Sequence, residues 1–185
     1  MTLKVGDEVS YTVTFLEMDA RPTYPYPPMP TGGPTVLLAA DEPPVRYFLH
    51  MYDAVGATYE WTDQHDKPVA EVQEFLHDPS VTMFTLMRNG WPAGFFILDT
   101  RIGGECDLAY FGLVPEAVGL GLGKYLLHTA ILMGWELPDV TKLTVNTNSL
   151  DHPRALPLYQ KAGFAPVRRA EHKRILTRDR PIEGL

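Results

Sequence analysis

A loop with three alternating glycines joins a strand-like run to a helix-like run and constrains the fold of this chain most strongly. The stretch VPEAVGLGLGKYLL covers residues 114–127 and contains Gly119, Gly121 and Gly123. Glycine lets a ligand approach the backbone closely, and a helix that begins here presents free N–H groups and the positive end of its dipole. This combination favours a phosphate or pyrophosphate site. The alternative is that these glycines only permit close packing of a helix on a sheet.

The residues around this loop predict a mixed sheet. Asn89-Gly90 is a strong hairpin signal, and Gly103-Gly104 marks a second turn. The segment from about Gly121 to Trp135 is long enough for a helix, and the helix would lead into another strand. Strand-like runs occur at VTMFTLMR, WPAGFFILDT, ECDLAYFGLV and TKLTVNTN. We therefore expect an α/β fold with three antiparallel strands, a helical crossover and a parallel fourth strand.

The amino-terminal part predicts a strand, a long loop and two helices. VSYTVTFLEMD is strand-like, ARPTYPYPPMPTGGPT is too rich in proline and glycine to continue it, and TVLLAA is strand-like again. Helical spacing follows from Val45 and from Val69, separated by the aromatic and acidic segment ATYEWTDQHDK. We predict one domain over residues 1–185, with residues 1–40 as an amino-terminal extension and a second helical block near the carboxyl end.

Composition narrows the class of protein. A chain of 185 residues with 45% hydrophobic content can bury one sizeable core. Its net charge of -7 argues against nucleic-acid binding, which needs a basic surface. Cys106 is the only cysteine, so no internal disulfide can form and a reducing compartment is favoured. The amino terminus lacks the apolar core of a secretory signal, and the run YLLHTAILMGW is too short to span a bilayer. We expect a cytoplasmic protein without membrane or metal sites, since the histidines lack metal-ligand spacing.

Two common nucleotide motifs do not fit the glycine loop. A Walker loop needs G-x-x-x-x-G-K-[ST], and Tyr125 follows Lys124 where the hydroxyl residue should stand. A dinucleotide fingerprint needs G-x-G-x-x-G within a βαβ unit, whereas this loop has G-x-G-x-G after antiparallel strands. Nucleoside triphosphatase and dinucleotide-dependent activities are therefore disfavoured.

The segment from about Thr82 to Val167 resembles the GCN5-related N-acetyltransferase (GNAT) superfamily. LVPEAVGLGLGKYLL is similar to the family's acyl-coenzyme A loop, V-x-P followed by R/Q-x-x-G-x-G/A. HPRALPLYQKAGF is similar to its second block, N-x-x-A-x-x-L-Y-x-x-x-G-F, and matches at Ala155, Leu158, Tyr159, Gly163 and Phe164. The chain departs from the pattern twice. Val118 stands where the family usually has Arg or Gln, and His152 stands where it usually has Asn.

The resemblance implies acetyl-coenzyme A as the acyl donor, bound without a metal ion. In the family, a bulge near the end of the strand before the loop frees a backbone N–H to polarise the donor carbonyl, and this maps to about Phe111 to Val114. Asn146 or Asn148 is the candidate to take over the role of the asparagine that the family usually has at the position of His152. The implied cofactor-binding residues are Leu113, Val114, Val118, Gly119, Leu120, Gly121, Leu122, Gly123, Lys124, Asn148 and His152.

The resemblance also implies the acid and the base of amine acetylation. Tyr159 matches a tyrosine that acts as the acid toward the coenzyme A sulfur in many members, and the alternative is a core tyrosine. Asp107 matches the position of an acidic residue that some members use as a base, directly or through water. Glu105 lies two residues away on the same face of a regular strand. Either carboxylate could instead be a solvated charge at the strand end.

The acceptor side maps to the segment between the two early helices. Tyr59, Trp61 and Asp63 offer aromatic faces and a carboxylate, which suit a cationic amine; the alternative is a structural acidic linker with Trp61 as a core anchor. The expected function is acetyl transfer from acetyl-coenzyme A to a primary amine of a small molecule or peptide. The alternative is a non-catalytic acyl-coenzyme A binding or sensing module. A homodimer, common in families of this kind, is left open.

Overall fold

The computed structural model describes residues 2–181. Within these residues, four α-helices and nine β-strands follow one another in the order β1, β2, β3, α1, α2, β4, β5, β6, α3, β7, α4, β8, β9. The strands are β1 Thr2–Leu3, β2 Glu8–Met18, β3 Thr35–Ala40, β4 Val81–Arg88, β5 Trp91–Asp99, β6 Glu105–Leu113, β7 Lys142–Asn148, β8 Ala165–Ile175 and β9 Arg180–Pro181. The helices are α1 Val45–Gly56, α2 Val69–Leu76, α3 Leu122–Glu136 and α4 Ala155–Ala162.

Seven strands form the main sheet, in the order β3-β4-β5-β6-β7-β2-β8. Asn89 and Gly90 adopt positive φ angles of 51° and 85° in the hairpin between β4 and β5. All neighbouring strands of this sheet are antiparallel except β6 and β7, which are parallel and joined by α3. This architecture confirms the predicted fold class.

Strand β2 lies in the interior of the sheet rather than at its edge. It pairs with β7 from Val13↔Asn148 to Met18↔Leu143, and with β8 from Glu8↔Ile175 to Glu17↔Ala165. The sequence predicts a strand here but does not predict its position in the sheet, because local periodicity carries no information on long-range pairing. Strand β2 thus separates β7 from β8, the two strands of the carboxy-terminal part.

The helices cover the two faces of the sheet. On one face, Phe48 and Tyr52 of α1 contact Tyr110 of β6 through ring contacts at 5.4 Å and 5.8 Å. On the other face, α3 packs so closely that a Cβ on Gly134 would lie 3.2 Å from Cys106 Sγ. No helix within residues 2–181 has both the length and the apolar character needed to cross a bilayer.

A β-bulge at Ala109 changes which side chains of β6 share a face. Leu108 pairs with Leu98 and Tyr110 pairs with Ile97, so Ala109 is the extra residue. As a result, Asp107 and Tyr110 point to the face that carries α1, while Phe111 points to the other face. The resemblance had placed the bulge at about Phe111 to Val114; it occurs earlier in the strand.

The proline-rich loop after β2 is held by specific contacts. The buried Arg88 guanidinium donates to the carbonyl oxygens of Gly33 and Thr31, each at 2.8 Å. Tyr24 stacks on His128 of α3, with ring centroids 4.1 Å apart. The loop therefore packs along the face that carries α3.

Candidate functional site

One cavity of about 690 Å³ opens between the glycine loop, the split between β6 and β7, and the segment that links α1 to α2. Its wall is rich in aromatic side chains, which suits a ligand with apolar parts. The aromatic residues that line it are Tyr11, Tyr52, Tyr59, Trp61, Tyr110, Phe111 and Tyr159.

The glycine loop forms one end of this cavity. Gly119 and Gly121 adopt φ angles of +87° and +76°, in the region that favours glycine. A Cβ added to either residue would meet no protein atom within 4 Å. Backbone conformation, and not close packing of protein on protein, therefore requires these two glycines, and the space beside them is open to a ligand.

The start of α3 carries the features of an anion site. Gly121 caps the helix without a side-chain hydrogen bond, and its first turn contains no acidic residue. Within residues 2–181, the N–H groups of Gly119 and Gly121 donate to no backbone carbonyl. Lys124 places a positive charge in the first helical turn, where the helix dipole disfavours it. A bound anion such as pyrophosphate would offset both features.

Strands β6 and β7 separate beside the loop. Their parallel pairing covers only Glu105↔Lys142 to Asp107↔Thr144, although β6 continues to Leu113 and β7 to Asn148. The facing backbone groups beyond Asp107 are therefore left without their ladder partners, and residues 108–113 line the cavity. Such a gap offers hydrogen-bonding groups to an extended ligand that contains amides.

Tyr159 lies on α4 and borders the same cavity. Its ring contacts Phe111 and Phe164 edge-on, with centroid distances of 6.1 Å and 6.0 Å. Burial raises the pKa of its hydroxyl far above the usual range, and no hydrogen bond contributes to this shift. Tyr159 is therefore a protonated group with a hydroxyl available to a ligand.

His152 and Asn148 lie at the end of β7 and the start of α4. His152 Nδ1 accepts a hydrogen bond of 3.1 Å from the backbone N–H of Arg154. Burial and the neighbouring Arg154 lower the pKa of His152, so the neutral ring carries its proton on Nε2. Asn148 uses its side-chain oxygen to accept from the N–H of Leu150, at 2.8 Å. Both side chains therefore keep N–H donors for a ligand.

Asp107 lies in a second cavity of about 480 Å³ and does not line the first. Burial raises its pKa, and Thr144 Oγ1 donates a 2.6 Å hydrogen bond that acts in the opposite direction. The bulge at Ala109 separates Asp107 from the face where Phe111 meets Tyr159. Glu105, the other carboxylate considered, is paired with Lys142 at 2.9 Å.

The segment between α1 and α2 forms the wall opposite Tyr159. Trp61 Nε1 donates to Asp151 Oδ1 at 3.0 Å, and Asp151 Oδ2 accepts from Thr147 Oγ1 and from the N–H of Asn148. This network fastens the aromatic segment to the loop that leads into α4. Tyr59 contacts His152 edge-on at 6.1 Å between ring centroids.

Three polar side chains of this wall were not predicted from the sequence. Gln64 Nε2 donates to the hydroxyl of Tyr110 at 2.5 Å. Arg174 of β8 lines the same cavity, and Arg154 lines it near His152. Arg174 gives no signal in the sequence, since β8 reads APVRRAEHKRI with polar residues on both faces.

The structure brings most of the expected site residues together. Val114 and Leu122 are buried in the core, so only their backbone could serve a ligand, and Leu120 is exposed outside the cavity. Asp107 is in the second cavity. The expected residues that line the first cavity are Tyr59, Trp61, Asp63, Leu113, Val118, Gly119, Gly121, Gly123, Lys124, Asn148, His152 and Tyr159. Over residues 2–181, no group of three metal-ligating side chains is close enough to hold a metal ion.

Comparison with solved structures shows the same fold in proteins of low sequence identity. A functionally unknown conserved protein from Staphylococcus epidermidis aligns with a TM-score of 0.60 and 11% identity, over 90% of this chain and 62% of that chain. A GCN5-related N-acetyltransferase from Kribbella flavida aligns with a TM-score of 0.58 and 16% identity, over 88% of this chain and 56% of that chain. A spermidine N-acetyltransferase from Vibrio cholerae, in complex with CoA and spermine, aligns with a TM-score of 0.55 and 18% identity, over 71% of this chain and 80% of that chain.

Some of these proteins are considerably longer than this chain, which spans 54% to 62% of the length of four of them. No curated protein sequence matches the chain significantly. The model of the acetyltransferase (GNAT) family, however, matches residues 48–164. That segment is more than half of the 185 residues and holds both the glycine loop and Tyr159. The chain therefore belongs to the acetyltransferase (GNAT) family.

Proposed function

We propose that this protein is an N-acetyltransferase that transfers the acetyl group of acetyl-coenzyme A to a primary amine. One observation carries this proposal: the open glycine loop, the gap between β6 and β7, and the Tyr159 hydroxyl all border a single cavity. Family membership gives the same class of reaction. Acetyl-coenzyme A would supply the acyl group as a thioester, which is activated toward amines.

The residues present fit the donor. The N–H groups of Gly119 and Gly121 and the charge of Lys124 would hold the pyrophosphate. The unpaired edge of β6 would hold the amide-bearing arm and direct a backbone N–H at the thioester carbonyl, which is a form of oxyanion stabilisation. The donor groups of His152 and Asn148 lie on the far side of the gap and would orient the same arm.

Proton transfer at the leaving group is assigned to Tyr159. A tyrosine hydroxyl is protonated at neutral pH, and burial, which raises the pKa of Tyr159 further, keeps it so; it can therefore donate to a sulfur that gains negative charge. Asp107 remains the candidate base through a chain of water molecules, since its raised pKa makes it a better proton acceptor than an ordinary carboxylate. Asp107 lines the second cavity and not the first, and Asn146 borders both cavities, so this route runs through water beside Asn146.

The acceptor is assigned to the wall formed by the segment between α1 and α2. Tyr59 and Trp61 offer aromatic faces, and Asp63 offers a carboxylate to an ammonium group as it enters. The neighbour from Vibrio cholerae is described as a spermidine N-acetyltransferase, and at 18% identity it supports an amine acceptor only as a class.

The alternative is a protein that binds acyl-coenzyme A without turnover, and the position of Asp107 outside the first cavity favours it. Two measurements are needed, and the second separates the proposals. Calorimetry with coenzyme A should show binding in either case. Release of free thiol from acetyl-coenzyme A, followed over a panel of amines, should rise with amine concentration for at least one acceptor. Binding with no amine-dependent release would leave the non-catalytic module.

A further inference from the structure

Arg174 places a largely buried positive charge in the wall of the first cavity. Its side chain is 17% exposed and lies on β8, beyond the segment 48–164 that matches the family model. Its Nη2 donates to Thr62 Oγ1 at 2.6 Å, and its guanidinium carbon lies 6.0 Å from the centre of the Tyr11 ring. The residue therefore belongs to this chain's own version of the wall rather than to the shared cofactor blocks.

The guanidinium is incompletely satisfied by the protein. Arginine has five N–H donors, and Nε of Arg174 is buried without a hydrogen-bond partner within residues 2–181. The nearest carboxylate, Asp63, is 3.5 Å from Nη2 and its side chain is 79% exposed. An exposed partner at that distance contributes little. Nη1 makes no hydrogen bond within residues 2–181 and, unlike Nε, is not among the fully buried atoms, so the outer edge of the guanidinium is open to a ligand that accepts from it.

The position of Arg174 is on the acceptor side of the cavity. Thr62 and Asp63, which it contacts, are in the segment between α1 and α2. The next residue of that segment, Gln64, bonds to Tyr110 on β6, and Tyr110 precedes the Phe111 that touches Tyr159. The glycine loop and Lys124 are on another part of the wall, so the coenzyme has its own cationic group.

We infer that Arg174 binds a carboxylate of the acceptor, and that the amine substrate is an amino carboxylate such as an amino acid or a short peptide. This inference rests on the proposed function. The planar guanidinium fork matches carboxylate geometry, and Asp63 beside it offers the opposite charge to the ammonium group of a zwitterion. Arg174 thus determines which amines enter, and takes no part in the proton transfers.

The test compares amino acids with their carboxamides as acceptors. In the parent protein, kcat/KM should be at least about tenfold higher for the acid than for the amide of the best pair. In Arg174→Gln this preference should fall to near unity, mainly through a higher KM for the acid. Arg174→Lys keeps the charge without the fork and should retain part of the preference.

The ratio within each variant is independent of how much protein is folded. Arg169→Gln is the matched control, because Arg169 is an exposed arginine of the same strand that does not line the cavity; its ratio should equal that of the parent. Equal use of acids and amides by the parent, or a preference that survives Arg174→Gln, would overturn the inference while leaving acetyl transfer intact.

Product binding supplies a readout that does not need turnover. Calorimetry of N-acetyl amino acids, and of their amides, is performed on protein saturated with coenzyme A. The acids should bind at least about tenfold more tightly than the amides, and Arg174→Gln should abolish the difference. Binding of neither compound, or equal binding of both, would overturn the role of Arg174. Absence of thiol release with every amine would instead overturn the proposed acetyl transfer.

Discussion

Tyr159 combines two properties that a purely structural tyrosine rarely has. It is 6% exposed, yet its hydroxyl makes no hydrogen bond that contributes to its pKa. The hydroxyl is not among the fully buried polar atoms that lack a partner, so it reaches the space of the cavity that Tyr159 lines. A ligand in the cavity can therefore accept a hydrogen bond from it, and its protonated state suits donation to a leaving thiolate.

Tyr159→Phe should lower kcat about 10²- to 10⁴-fold, which is the usual contribution of a general acid. Affinity for acetyl-coenzyme A, measured by calorimetry, should stay close to that of the parent because only the hydroxyl is removed. The melting temperature should stay close to that of the parent, since the ring keeps its contacts with Phe111 and Phe164. A kcat within about twofold of the parent would assign Tyr159 to core packing alone.

Asp107 predicts a pH dependence of stability with a defined sign. Burial raises the pKa of Asp107 in the folded protein above 3.8, the ordinary value for an aspartate. The folded state therefore holds the proton of Asp107 more tightly than the unfolded state does. The stabilising effect of this proton is complete below about pH 3.9 and is lost as the pH rises through the pKa of Asp107 in the folded protein.

Asp107→Asn removes this titration and keeps an oxygen that accepts from Thr144. Its melting temperature should therefore rise relative to the parent as pH increases from about 4 to 7. If Asp107 is also the base, kcat should fall in the same variant. A stability difference that is constant with pH would contradict the raised pKa, and an unchanged kcat would exclude Asp107 as the base.

At the scale of elements, the loop before α3 depends on two glycines with positive φ. Gly121→Val places a β-branched side chain in a conformation that such residues avoid, and projects it into the space assigned to pyrophosphate. Affinity for coenzyme A should fall at least about tenfold by calorimetry. Gly90→Val is the matched control, because Gly90 has φ +85° and open surroundings in a hairpin that does not line the cavity. An equal loss of affinity in both variants would mean that strain alone is responsible.

The segment between α1 and α2 is joined to the cofactor side through Trp61. Trp61→Ala removes an aromatic wall and the bond to Asp151, so the KM for the amine should rise more than the KM for acetyl-coenzyme A. Trp61→Phe keeps the aromatic wall and loses only the hydrogen bond to Asp151. Its KM for the amine should therefore lie between the values of the parent and of Trp61→Ala. Trp91→Ala, a half-buried tryptophan outside the cavity, serves as the control. Lower stability with unchanged kinetics would make this segment structural.

Local elements were predictable because their signals are local. The Asn89-Gly90 turn, the glycine junction and the helix after it all appear where the sequence places them, with α3 at Leu122–Glu136. The orientation of Asp107 was not predictable, because one extra residue at Ala109 reverses the alternation of β6. A bulge has no reliable sequence signature, and so two residues assigned to one site lie in separate cavities.

At the scale of the whole molecule, the interior position of β2 determines which side chains of β8 lie beside the cavity. Val9 pairs with Arg174 and Tyr11 with His172, so β2 holds β8 in register beside the cavity. These contacts join residues more than 160 positions apart, and no local pattern predicts them. The two family motifs were recognisable from short stretches of sequence, whereas the proposed acceptor wall is assembled by long-range pairing and became visible only in the structure.

The central claim is that one cavity binds acetyl-coenzyme A and passes its acetyl group to an amine. The most direct measurement uses acetyl-coenzyme A with an isotopically labelled acetyl group and follows free thiol and labelled product together, over the panel of amino acids and amides. Thiol and acetylated amine should form in equal amounts, and both should be strongly reduced in Tyr159→Phe and in Gly121→Val. Thiol release without labelled amine, or equal product formation in both variants and the parent, would contradict it.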